Sequence, residues 1–175
     1  MTAVSSNFKI LTPENWLVAD PASTMFSKVS HTDGTVTPMS GQEWLALFLD
    51  PALSKSVPEN VRALFEVARG SLAYGYFFYP LYTLACEQLF RVAEAAVSEK
   101  CRMLRASAKK TKTFKEKVQF LFDSQVISHE ERLHWDAFRK FRNSTSHPQK
   151  QMILPPGAVA SLLFGIGEKV NKLFA

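Results

Sequence analysis

The chain has 175 residues, enough for one domain with a substantial core, and its 46% hydrophobic and 12% aromatic content fits a globular protein. A formal net charge of +5 suits an acidic partner such as nucleic acid without demanding one. The absence of any G-x-x-x-x-G-K or G-x-G-x-x-G run excludes the glycine-rich phosphate loops, no apolar run approaches the roughly 18 residues of a membrane span, and the first residues lack a signal-peptide pattern. A cytoplasmic protein that does not engage the membrane is therefore expected.

In chain order, Thr12-Pro13-Glu14 predicts a short helix carrying Trp16 and Leu17. Asp33-Gly34, between Val29 and Val36, fits a two-residue hairpin turn, and His31 beside Asp33 is read as part of that turn. Ser40 and Glu43 form a capping box ahead of a short apolar helix with Trp44, Leu45, Leu47, Phe48 and Leu49, which Asp50-Pro51 ends. This helix is expected on the outside of the molecule or in a dimer interface. Residues 1–56 are thus an N-terminal extension with one or two short helices.

From residue 57 on, the pattern is that of an all-α, antiparallel helical bundle. Ser56-Val57-Pro58-Glu59 starts a helix whose Val61, Leu64, Phe65, Ala68 and Leu72 share one face, with Gly75 as its stop. The aromatic run Tyr74–Tyr79 is read chiefly as a packed hinge, with base stacking as the functional alternative. Pro80 opens the longest helix, running to about Arg105, with Leu81, Leu84, Ala85, Leu89, Val92 and Ala96 as its core stripe. Glu87, Arg91 and Glu94 line another face, either as an exposed ion-pair row or as a face turned to a site. Cys86 and Cys101 on this helix stand too far apart for a disulfide or a shared metal and are read as buried thiols. Arg102, Arg105, Lys109, Lys110, Lys112, Lys115 and Lys117 then make a basic stretch, either a solvated loop or a phosphate-contacting patch. Thr113 and Glu116 cap a helix with Phe114, Val118, Leu121 and Phe122, and Pro155-Pro156 starts a last helix with Val159, Leu162, Leu163, Ile166, Val170, Leu173 and Phe174. Short connections between these helices imply antiparallel neighbours.

The most informative stretch is Ser128–Pro148. Ser128 and Glu131 form another capping box, Leu133, Ala137, Phe138 and Phe141 recur at helical spacing, and Pro148 pushes His147 out of helical geometry. Arg142 falls near the last turn, followed by Asn143, Ser144, Thr145, Ser146 and His147, so Arg, Asn and His gather where the apolar residues run out. His129 and His134 flank Glu130 and Glu131, but H-E-E-R-L-H sets its histidines five apart, which does not align two metal ligands on one face, and no metal or other cofactor is expected.

Arg142-Asn143-Ser144-Thr145-Ser146-His147 resembles the R-x4-H motif, in its R-N-x-x-x-H form, of HEPN domains, and the resemblance covers residues 57–175. It implies a helical bundle of HEPN type with the motif at the end of the penultimate helix. Many such domains are metal-independent ribonucleases, and many are toxins or antiviral defence effectors. By that resemblance the chain is a homodimer whose composite cleft brings two motifs together and cuts RNA, with an antitoxin or another defence-system protein as a further partner. His147 would then do acid/base work, Arg142 would bind phosphate, Asn143 would orient, and Ser144, Thr145 and Ser146 would donate hydrogen bonds to substrate. Lys109, Lys110 and Lys112 would contact the RNA, and Glu87 and Arg91 would support the site from the long helix. The alternative the same resemblance leaves open is a non-catalytic bundle for dimerisation, nucleotide binding or RNA binding.

Overall fold

Three of the helix starts expected from Ser or Thr followed by Glu three residues later are closed capping boxes in the computed structural model, which describes residues 9–145 and 155–175, the side chains of 143–145 excepted. Ser40 caps α1 (Gly41–Leu49), Thr113 caps α4 (Phe114–Asp123), and Ser128 caps α5 (His129–Thr145). In each, the hydroxyl accepts the backbone N–H three residues on, and the glutamate accepts the cap's own N–H. Proline starts the others: α2 (Glu59–Tyr74) follows Pro58, α3 (Leu81–Met103) follows Pro80, and α6 (Pro156–Leu173) follows Pro155.

Helix α3 is the axis of the molecule and packs against α2, α4, α5 and α6. That is why its buried arc is so wide: Tyr82, Ala85, Cys86, Leu89, Phe90, Val92, Ala93, Ala96, Val97 and Cys101 all leave solvent. Val61, Phe65, Ala68 and Leu72 of α2 meet it from one side, and Leu163, Ile166 and Val170 of α6 are buried in the same core cluster. Leu84, assigned to the core stripe from its spacing, is 54% exposed, while Tyr82 is fully buried in its stead. Both cysteines are free and buried, and burial pushes the Cys86 thiol up to about 12.

The hairpin expected around Asp33-Gly34 forms, with a longer loop than expected. A small antiparallel hairpin, β1 (Ser27–Val29) and β2 (Val36–Pro38), pairs Ser27 with Pro38, Lys28 with Thr37 and Val29 with Val36. Its loop spans residues 30–35 in place of a two-residue turn; Gly34 takes φ +73°, and the Asp33 carboxylate accepts the Thr35 N–H. The helix expected around Trp16 and Leu17 does not form: this segment is a series of turns with both side chains exposed, closed by Asn15 bonding back to Thr12.

Residues 9–56 are stitched to the bundle. Trp44 and Phe48 of α1 are buried in the main core, whereas Leu45, Leu47 and Leu49 face outward. Phe26 stacks on Trp44 at 4.5 Å between ring centroids, and Trp44 meets Tyr82 edge-on at 5.8 Å. Arg69 of α2 donates to the terminal carbonyls of α1 at Phe48 and Leu49, supplying partners the helix end lacks. Asn171 of α6 bonds the Ala52 carbonyl and the Ser54 N–H. Among the described residues, no helix is long and apolar enough to cross a membrane.

Candidate functional site

The position of Arg142 follows from how α5 is anchored. At its start, Glu131 accepts the Ser128 N–H at 2.7 Å and pairs with Lys172 of α6 at 3.1 Å. The Ser128 backbone N–H, then Lys172, hold the Glu131 carboxyl down at about 2. In the middle, Trp135 is 1% exposed and packs edge-on against Phe114 of α4 and Phe138. Nearer the end, Phe141 meets Phe90 of α3 at 5.8 Å. The stripe turned inward is therefore Glu131, Trp135, Phe138 and Phe141, and the expected apolar stripe is corrected accordingly: Leu133 and Ala137 lie exposed.

That rotation carries Arg142 to α3, where its Nη1 donates to Glu94 Oε1 at 2.7 Å. The two side chains are 43% and 42% exposed, so this ion pair contributes roughly 0–1 kcal/mol and orients the guanidinium more than it stabilises the fold. Arg142 and Glu94 share a shallow depression with Phe90, Ala93, Phe114, Phe138 and Arg139. Its volume is about 10 Å³, room for a single oxygen-sized atom. Arg139 is held by Asp136 one turn earlier, Nε to Oδ1 at 3.1 Å.

The remaining candidates are distributed as follows. Asn143, Ser144 and Thr145 form the last residues of α5, and their side chains lie outside the described residues, as do Ser146 and His147 altogether. Lys109, Lys110 and Lys112 are exposed in the connection between α3 and α4. That connection leads directly into Phe114, which lines the depression, so its end is brought beside Arg142. Arg102 is paired with Glu99 one turn earlier on α3, and Lys117 of α4 donates to Ser98 Oγ of α3, so the first is engaged within its own helix and the second ties two helices together. Glu87 and Arg91 are exposed on α3, and it is Glu94, next in the same row, that meets Arg142.

Arg139 is not among the residues the sequence singles out, and Glu94 is named there only as a member of its row, with Glu87 and Arg91 expected to support the site. A signal for Glu94 existed in the Glu87–Arg91–Glu94 row, but which member meets Arg142 depends on how α3 crosses α5. His134 has its Nδ1 buried without a hydrogen-bond partner among the described residues, and His129 lies against Arg132 and the Phe122 ring. No cluster of three or more His, Cys, Asp or Glu side chains suited to a metal occurs among the described residues.

Comparison of the chain with models of known families, with curated proteins and with solved structures finds no match in any of the three.

Proposed function

We propose that the chain is a metal-independent endoribonuclease of HEPN type that acts as a cytoplasmic homodimer, in the role of a toxin or defence effector. The observation that carries this reading is the setting of Arg142. It opens the R-x4-H run, stands in the last turns of the penultimate helix, is oriented by a carboxylate from the bundle's longest helix, and is followed by one more helix.

RNA supplies its own nucleophile. In the proposed reaction a histidine takes the proton of the 2′-OH, whose oxygen attacks the adjacent phosphorus. The bond from phosphorus to the 5′-oxygen breaks, and that oxygen receives a proton, leaving a 2′,3′-cyclic phosphate and a 5′-OH. Histidine suits both transfers because its pKa lies near neutrality. Arginine suits the phosphate because it stays charged and forks onto two oxygens, where it stabilises the charge that builds up. One Arg142 and one His147 are few groups for this work, and two copies across a two-fold axis would supply two of each. Asn143 would orient the ring or the phosphate, and Lys109, Lys110 and Lys112 would hold flanking phosphates.

One observation favours the second reading, a non-catalytic dimerisation, nucleotide-binding or RNA-binding module. The charge of Arg142 is already matched by Glu94 within a single chain, as in a site that only binds.

The test is purified protein incubated with a mixed RNA pool in EDTA, beside His147→Ala. Cleavage by the wild type that leaves cyclic phosphate ends, and falls about 10²–10⁴-fold in the variant, is expected. RNA binding without cleavage would select the second reading. Equal cleavage by both proteins would place the activity elsewhere.

A further inference from the structure

We propose that Arg139 and Arg142 together clamp one phosphodiester of a nucleic-acid backbone, and that Asp136 and Glu94 hold the two guanidiniums in reserve until that phosphate replaces them. The inference rests on the nucleic-acid reading of the Arg142 site and adds to it a second cation and a competitor for each.

Arg139 and Arg142 stand at i and i+3 on α5, a spacing that places side chains on one helix face. Both line the same depression, and its remaining surface is largely apolar, with Phe90, Phe114 and Phe138 around it. Two guanidiniums one turn apart repel each other, and among the described residues each is paired with a carboxylate: Asp136 on Arg139, Glu94 on Arg142. The four charges sum to zero, which explains how both cations tolerate the arrangement in the absence of an anion.

The pairs are built to exchange. The Arg139–Asp136 side chains are 27% and 33% exposed, and those of Arg142–Glu94 are 43% and 42% exposed, so either carboxylate can return to water at little cost. Arg139 engages Asp136 through Nε, and its Nη groups make no hydrogen bond among the described residues. A phosphate offers what a carboxylate one turn away on the same helix does not: acceptor oxygens that two guanidiniums can share, in short charge-assisted bonds. The depression admits one such oxygen, and the aromatic rings beside it reduce the water that would otherwise screen the contact.

The test uses the full chain and a short, fluorescently labelled 2′-O-methyl oligoribonucleotide, which lacks the nucleophile and cannot be cut. Binding is followed by anisotropy across a salt series. Arg139→Gln is expected to weaken binding about tenfold and to flatten the slope of log affinity against log salt by about 0.7, the signature of one lost phosphate contact. Asp136→Asn is expected to tighten binding several-fold, because it removes the competitor and leaves both cations. It also serves if Arg139→Gln fails to fold, as a thermal melt would show. Lys140→Gln removes the same charge from an exposed neighbouring position and should change affinity far less.

Unchanged binding by Arg139→Gln, an equal loss in Lys140→Gln, or weaker binding by Asp136→Asn would overturn the clamp while leaving the nucleic-acid reading intact. Binding that obeys the clamp, in a protein that never cuts RNA, would keep the clamp and remove the nuclease. Failure of the wild type to bind would overturn both.

Discussion

Two regions of α3, its start and the stretch around Glu94, are built on opposite plans. At its start, around Tyr82, polar groups are taken out of water. Asp20 is 2% exposed, with one carboxylate oxygen accepting the Ala22 N–H and the other the Tyr79 N–H. Ser23 and Tyr82 are fully buried, and burial pushes the Tyr82 hydroxyl far above its ordinary value. The Ser23 hydroxyl donates to the Gly75 carbonyl at 3.5 Å, while the Tyr82 hydroxyl and the Trp44 indole N–H are buried without a hydrogen-bond partner among the described residues. Farther along, around Glu94, charges of both signs sit half in water in pairs that can open. A buried group without exchangeable partners is chemically silent, and a half-exposed pair can trade its partner for a substrate. The first region fixes the shape, and the second is free to do chemistry.

Substitutions in the two regions should therefore separate stability from function. The largest effect is expected at Gly75, where an added Cβ would lie 2.4 Å from Cε1 of the fully buried Tyr82 ring. Gly75→Ala should cost about 3 kcal/mol in urea unfolding, because the helix end or the buried ring must shift to admit the methyl group. Next comes Asp20→Ala, which leaves the Tyr79 and Ala22 amides without their acceptor; a loss of about 2 kcal/mol is expected. A cost below about 0.5 kcal/mol for either would mean that this end is looser than its contacts imply.

The smallest effect belongs to Glu131, which links the two plans by anchoring the start of the helix that carries Arg142. Its carboxyl is lowered in the fold from the ordinary 4.5 to about 2, so its contribution is complete above the unfolded value and is lost as pH falls through that interval. Glu131→Gln should cost about 1 kcal/mol near neutrality, and the gap between the two proteins should close between pH 4.5 and about 2. A gap that persists in acid would assign the effect to packing and not to the charge.

Much of this was legible in the sequence because it is local. Ser128 with Glu131, Thr113 with Glu116, and Ser40 with Glu43 each specify a helix start within four residues, and all three close as read. The inward face of α5 was misread for a physical reason: it includes Glu131, whose burial is offset by Lys172 at the far end of the chain. A hydrophobic pattern rejects that residue and selects Leu133 instead. Leu84 failed similarly, since the faces of α3 that meet neighbours are set by four other helices. Which of Glu87, Arg91 and Glu94 meets Arg142 was not legible because that pair exists only after α3 and α5 have crossed, and the place of Arg139 in the same depression depends on the same crossing. The Asp20 clip was invisible because Tyr76 and Tyr79, which it joins, lie more than fifty residues along the chain.

That clip bears on how the molecule can be divided. Lys9 reaches the Phe77 carbonyl, Asp20 holds the Tyr76–Tyr79 turn, and Phe26 and Trp44 cover Tyr82. A fragment beginning at Val57 would keep every helix from α2 onward and still carry a raw aromatic wound where those rings had lain. Such a fragment would be prone to self-association through that wound, and a dimer seen with it would report the cut and not the native assembly. Questions of subunit number and of RNA cleavage are therefore best put to the whole chain.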